Sequence, residues 1–390
     1  MRIALFTNTY PPSLNGVANV THCYRRGLTE LGHDVHIFAP SPRDDDPFEG
    51  DPQVHRYPAF RVPGEVDYML ALPLPFTLGV RRDFEELGCD LVHVQHPAWV
   101  GGWGQKWAHE LGIPVISTAH SQYELYANRS PLPTEWIEPA VRHHVVGHYN
   151  RCQIVTTPVE WMRDKLIRNG VRVPVELVPN PVDLTPLGKP DREATRKRLG
   201  FTDDECVVGY LGRLSPVKNL GLMIDAVGML ANERPEVRLL IVGDGSVMDS
   251  IRKRARLRLG DKAVLTGAVP HSEVVHYHSA MDLFVTSSRS ETQPLAYTEA
   301  MYVGVPVIAL ATPGAQDMIK SGDNGLLSHP NQQAEGLVEA MKRVLDDEAL
   351  AGRLRRGGRE FALSRDYPAV AARLEEVYAG AMERFTVEAV

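Results

Sequence analysis

The sequence predicts an α/β protein made of two doubly wound, Rossmann-like domains facing each other across a cleft. Three observations predict it. At 390 residues with 43% hydrophobic side chains, the chain is too long for one ordinary core, so two domains are expected. Short apolar runs alternate with helical stretches, as buried parallel strands do in βαβ units. The alternation breaks at a proline-rich passage, Pro174 to Pro190, and then restarts, as it would across an interdomain linker.

In the first half, Arg2 to Phe6 reads as a fully buried strand and Gly16 to Leu31 as a helix. Val35 to Ala39, Leu91 to Val94, Val115 to Thr118 and Ile154 to Thr157 are the strands that follow. Beyond the linker, strands are expected at Val207–Leu211, Arg238–Val242, Val264–Thr266, Leu283–Val285 and Val305–Ile308, each with a helical stretch after it. An amphipathic stretch, Ala369 to Phe385, comes after the second domain has used its strands.

Charge and composition remove several classes. Lys and Arg number 42 against 49 Asp and Glu, a formal charge of -7. A domain that grips duplex nucleic acid usually carries the opposite balance. Cys23, Cys89, Cys152 and Cys206 stand far apart without metal spacing, which fits a reducing cytoplasm. The run Met1 to Phe6 reaches Thr7-Asn8-Thr9 too soon for a signal peptide. The longest apolar stretch, Met69 to Val80, holds two prolines and falls short of the roughly 20 residues a bilayer span needs.

In open α/β sheets ligands sit beyond the carboxyl ends of the strands. Ser287 to Met301 leaves such an end and opens a helix. Glu291 lies in the loop, Pro294 suits the first helical turn, and Glu299 lies more than a turn further on. Amides near Gln293 and Leu295, with the helix dipole behind them, make an anion site suited to a diphosphate. The alternative reads Glu291 as a helix cap and Glu299 as a solvated residue. Gly209 to Asn219 runs off the first strand of the second domain. Gly212 allows a sharp turn, and Arg213 and Lys218 bring two cations to the same sheet edge. That pair suits a departing nucleoside diphosphate, whose charge grows in the transition state.

Taken in order, Gly-Arg-Leu-x(3)-Lys-Asn, Gly243-Asp-Gly245, Glu-x(7)-Glu and Glu-Ala-Met-x(2)-Gly-Val-Pro-Val-Ile resemble glycosyltransferase family 4, with Tyr10-Pro-Pro-Ser-Leu-Asn-Gly16 after the first strand. The resemblance implies the GT-B fold and retaining transfer from a nucleotide sugar without a catalytic metal or other cofactor. It implies that Glu299 binds the ribose and that Arg213 and Lys218 hold the diphosphate. Glu291 would contact the donor sugar, beside Gln293, Pro294 and Leu295. Gly16 would let the first loop approach the phosphates. His120 would face the transferred sugar and the acceptor, and backbone around Val269 would hold the base. The closing helix would cross back onto the first domain, giving domains 1–180 with 367–390 and 181–366.

Ala119-His-Ser-Gln-Tyr-Glu-Leu-Tyr126 and Ser290-Glu-Thr-Gln293 look like stretches of bacterial diacylglycerol glucosyltransferases. Pro294 departs from the glycine usual there, and Ala119 and Ser121 from the threonines beside the histidine. The reading is a UDP-hexose donor and a diacylglycerol-type lipid or glycolipid acceptor, with His96, His120, Tyr123 and Tyr126 on the acceptor side and His93 in the packing. A polar acceptor with a GDP-sugar, or a non-catalytic sugar-nucleotide binder, are the alternatives. The segment 68–82, ending in Arg81-Arg82, would give peripheral contact with the inner face of a membrane.

Four features are read as decoys. Asp44-Asp-Asp46 sits between prolines as a solvated acidic turn rather than a metal site. His143, His144 and His148 have metal-compatible spacing but no acidic third ligand, and read as a partly exposed helix face. Ile251 to Arg258 is basic without aromatic interleaving, hence a solvated surface. Gly243 to Met248 lacks the third glycine of a dinucleotide-binding turn.

Overall fold

The computed structural model of the protein describes residues 1–13, 15–42, 45–61, 69–71, 78–98, 100–121, 134–185, 190–289, 291 and 294–388. The chain divides into two compact units, Met1–Pro181 with Tyr367–Val390, and Val182–Asp366.

The first unit runs β1 (Arg2–Phe6), α1 (Gly16–Glu30), β2 (Asp34–Pro40), β3 (Val54–Tyr57), β4 (Ala59–Arg61), β5 (Met69–Ala71), α2 (Leu78–Leu87), β6 (Leu91–Val94), α3 (Val100–Glu110), β7 (Val115–Thr118), α4 (Thr134–Tyr149), β8 (Ile154–Thr157), α5 (Glu160–Arg168) and β9 (Val175–Leu177). Its main sheet is parallel, in the order β3-β2-β1-β6-β7-β8-β9, and β4 and β5 form a separate antiparallel pair. Strands β1, β6, β7 and β8 bury almost every residue, which is why they read as continuous apolar runs. Asn15 caps α1, its side chain accepting from Ala18 N at 3.0 Å.

The second unit runs α6 (Arg192–Leu199), β10 (Cys206–Leu211), α7 (Leu220–Glu233), β11 (Val237–Val242), α8 (Met248–Leu259), β12 (Ala263–Leu265), α9 (Val274–Ala280), β13 (Leu283–Thr286), α10 (Leu295–Tyr302), β14 (Val307–Leu310), α11 (Pro313–Met318), β15 (Leu326–Ser328), α12 (Gln333–Asp346) and α13 (Glu348–Leu363). Its parallel sheet has the order β12-β11-β10-β13-β14-β15. The last helix, α14 (Tyr367–Glu388), returns to the first unit. There Val370, Leu374, Val377 and Tyr378 join the core of Ile3, Leu5 and Leu28. It crosses α1 at Gly27, where an added Cβ would lie 2.5 Å from Ala371 Cβ.

The sequence reading missed some elements and shifted another. The strand expected at Val305–Ile308 is Val307–Leu310, because Val305 N–H closes the end of α10 on Ala300 O at 2.9 Å. The passage read as linker contains β9, three residues paired with β8. The short strands β3, β4, β5 and β15 were also missed. No helix among the described residues is long and apolar enough to cross a membrane.

Candidate active site

In the second unit, loops at the carboxyl ends of three strands are stitched together. Gly212 N–H donates to Val242 O at 3.0 Å, Leu214 N–H to Asp244 O at 2.8 Å, and Gly243 N–H to Gly267 O at 2.8 Å. Gly212 and Gly243 have φ of 148° and 135°, which favours residues without a Cβ. A Cβ on Gly243 would stand 2.0 Å from Gly212 O, so the Gly-Asp-Gly stretch exists to let two loops touch.

The strand order reverses between β10 and β13, the position at which open sheets take ligands. The loop Gly212 to Asn219 meets there the loop that leaves β13. Ser287 Oγ donates to Asn219 O at 2.8 Å and Arg289 N–H to Val217 O at 3.1 Å. Between those ties Lys218 Nζ lies 2.5 Å from Glu291 Oε1, the two side chains being 21% and 11% exposed. Arg213 is exposed and has no ion-pair partner among the described residues. One cation is held by a carboxylate and another is left free beside it, a combination suited to a polyanion. Burial, helped by the charge of Glu291, raises the Tyr297 hydroxyl well above its ordinary pKa, so this phenol stays protonated.

Helix α10 starts at Leu295, and Pro294 is its N-cap with φ -73° and ψ 120°. Pro294 therefore precedes the first turn instead of lying in it, because its ψ is extended. No side chain caps this helix, so Glu291 is not a cap; its partner is Lys218. Glu299 is 6% exposed and not a solvated residue. Its Oε2 lies 3.5 Å from Nε2 of His278, a fully buried imidazole on α9 with no hydrogen bond among the described residues. Val269 is half-buried against the core of this unit, after β12.

In the first unit the order reverses between β1 and β6. Asn8 N–H, past the end of β1, donates to Nδ1 of His96, past the end of β6, at 3.2 Å. His120 Nε2 bonds Gln95 Oε1 at 2.7 Å, a contact that puts the proton on Nε2. All four residues are buried. Burial pushes His96 down to about 4 and His120 well below its usual pKa, the latter aided by the neighbouring histidines and opposed by Asn180. Both imidazoles are thus neutral at pH 7. His93 bonds Tyr378 Oη and Thr118 Oγ1 and is pushed down to about 3 by burial. It fills the core, as expected. A Cβ on Gly16 would meet nothing within 4 Å, leaving open space over the start of α1.

Within the second unit the structure brings together Gly212, Arg213, Lys218 and Glu291, with Leu295 and Glu299 on the adjoining helix and Pro294 at its N-cap. Within the first it brings together His96 and His120. Gln293, Tyr123 and Tyr126 lie outside the described residues, as does Asp44. So do residues 68 and 72–77 of segment 68–82; in its described part Arg81 pairs with Glu85 and Glu110. Asp46 is tied to Arg56 at 2.6 Å, so the acidic turn is held and not simply solvated. The histidines of α4 do not share one exposed face. His143 and His144 are exposed, while His148 is buried with Nε2 3.1 Å from Ser117 Oγ. Sequence reasoning missed Gln95, Asn8 and His278. Their only signal was position just after a strand or on a helix beside one, and each partner is distant along the chain.

The chain is similar to known glycosyltransferases in family and fold. Residues 14–186 match the Glycosyltransferase Family 4 family and residues 191–361 match Glycosyl transferases group 1. The alpha-monoglucosyldiacylglycerol synthase of Streptococcus pneumoniae is 30% identical over 87% of this chain and 77% of its own length. The GDP-mannose-dependent alpha-mannosyltransferase of Mycolicibacterium smegmatis is 28% identical over the full length of both. The structure of Anabaena HepE with UDP-glucose superimposes with a TM-score of 0.74 over 97% of this chain and 99% of that one, at 19% identity.

Proposed function

The chain belongs to glycosyltransferase family 4, and from that premise we propose that it moves a hexose from a UDP-sugar to the hydroxyl of a diacylglycerol-type lipid or glycolipid, with retention and without a metal. That it is a glycosyltransferase using a sugar nucleotide, with two Rossmann-like GT-B domains, follows from the family and the fold. The lipid acceptor is supported by the glucosyldiacylglycerol synthase relative. The observation that carries the nucleoside-diphosphate assignment is the Lys218–Glu291 pair at the switch point, with Arg213 beside it.

In the proposed reaction the bond from C1 of the hexose to the diphosphate oxygen breaks, and the acceptor oxygen bonds C1 on the same face. Lys218 and Arg213 take up the charge that grows on the diphosphate. The leaving phosphate receives the acceptor proton. His120, neutral and with its Nε2 proton directed to Gln95, faces the transferred sugar and the acceptor. Glu299 binds the ribose hydroxyls, Glu291 the hexose, and the backbone around Val269 the base. Peripheral membrane contact through segment 68–82 belongs to this reading. A second reading, a GDP-sugar donor with a polar acceptor, is favoured by the GDP-mannose-dependent relative.

Calorimetric titration of the protein with UDP and GDP in parallel, chelator present, decides between them. Binding of UDP alone supports the first reading and binding of GDP alone the second. Binding that needs added metal rejects metal independence, and binding of neither removes the diphosphate assignment.

A further inference from the structure

On the turn that carries Lys218 and leads into α7, the second unit has a hollow of about 600 Å³ that reaches across to α8. Ser215, Pro216 and Asn219 line one side, and Lys253, Arg254 and Leu257 the other. Helix α8 buries Ile251, Ala255 and Leu259 at every fourth position, which leaves Arg252, Lys253, Arg254, Arg256, Leu257 and Arg258 exposed. That face holds five cations and one exposed acid, Asp249 in the first turn, in a chain of net charge -7, so positive charge is concentrated here.

Compensation is incomplete. Arg254 and Arg258 share one carboxylate, Asp225, and Arg252 pairs with Asp249. Lys253 and Arg256 have no ion-pair partner among the described residues. Leu257 sits one turn beyond Lys253 and is 81% exposed, and Val217, in the turn across the hollow, is 48% exposed. A soluble anion would satisfy the cations and leave both apolar side chains in water. A duplex nucleic acid would do the same, and the helix offers no aromatic side chain for stacking on single strands. An anionic bilayer surface meets both demands: headgroup phosphates answer the cations and the interface covers the apolar side chains.

We infer that the exposed face of α8 is a docking surface for an anionic phospholipid bilayer, with a headgroup phosphate seated in the hollow beside Lys253 and Leu257 entering the interface. The inference deepens the lipid-acceptor reading and rests on it for its purpose. It places a membrane contact on the second unit, apart from segment 68–82.

The test uses the full chain with vesicles of phosphatidylcholine alone and of phosphatidylcholine mixed with phosphatidylglycerol. Binding should require phosphatidylglycerol and weaken with salt. Since each cation near such a surface is worth roughly fivefold in partitioning, Lys253→Gln with Arg256→Gln should weaken it roughly 25-fold. Leu257→Ser should weaken it further, and nucleotide affinity should be retained in all variants. Wild-type and variant chains binding the vesicles equally would overturn the inference, as would no vesicle binding at all. So would glycerol phosphate or a duplex oligonucleotide occupying the face as tightly as the vesicles. Vesicle binding that is lost in the variants while neither UDP nor GDP binds leaves this inference standing and removes the donor assignment instead.

Discussion

Lys218 and Glu291 neutralise each other across two loops, 2.5 Å apart, while Arg213 waits in solvent. The two cations should therefore fail differently. Arg213→Ala should lower turnover by on the order of 10²–10³ with stability changed by less than about 0.5 kcal/mol, as for other exposed sites. Lys218→Ala should lower turnover similarly and also cost about 1–3 kcal/mol, because a half-buried carboxylate loses its partner. Steady-state kinetics and thermal unfolding on both variants check this, and near-normal turnover in the pair would remove their role. Glu299→Gln should weaken nucleotide binding roughly ten- to hundredfold by removing a charged acceptor. His278→Asn should weaken it less, because the imidazole packs 3.5 Å from the carboxylate without a hydrogen bond to it. Calorimetry with nucleotide reads both, and unchanged affinity in Glu299→Gln contradicts the ribose role. Arg213, Lys218 and Glu299 were legible because each belongs to a motif with fixed spacing. His278 and Gln95 were not. Gln95 meets His120 across 25 residues, and spacing cannot register a partner brought in by a neighbouring strand.

Loops at strand ends carry the donor site, and glycine decides how closely they pack. Gly243→Ala would drive its Cβ to 2.0 Å from Gly212 O, at a φ that alanine disfavours. The loops must then separate. We expect a loss of about 1–3 kcal/mol in stability together with weaker nucleotide binding, read by thermal unfolding and titration. A variant with unchanged nucleotide affinity would show that this contact does not shape the site. Strands buried on both faces, such as β1 and β7, were readable as apolar runs. The edge strands β3 and β9 were not, since their residues are only half-buried and short mixed runs look like loops. Strand β14 was displaced in the reading because Val305 is apolar but its N–H belongs to the helix before it.

Acid should act unevenly on the molecule. His93, His96, His120 and His148 are all in the first unit, and burial lowers each of them, to about 3 or 4 where a value is defined. A lowered histidine binds its proton more readily in the unfolded chain. Its contribution is therefore complete above about pH 6.5 and is lost as pH falls toward the folded value. At pH 5 each such group should cost on the order of 1–2 kcal/mol. The first unit should lose hydrogen-exchange protection between pH 7 and 5 before the second does. Equal loss in both would show that burial of these histidines does not set acid stability.

Two βαβ domains, the cations of the donor loop and the family were determined by the sequence itself, because hydrophobic period and motif spacing are local properties of the chain. The tertiary structure decided which side chains meet. It paired Lys218 with Glu291, buried Glu299 against His278, and set Gln95 beneath His120. Those contacts follow from parallel strands that bring distant residues to one sheet edge, and from burial, which keeps the His120 imidazole neutral.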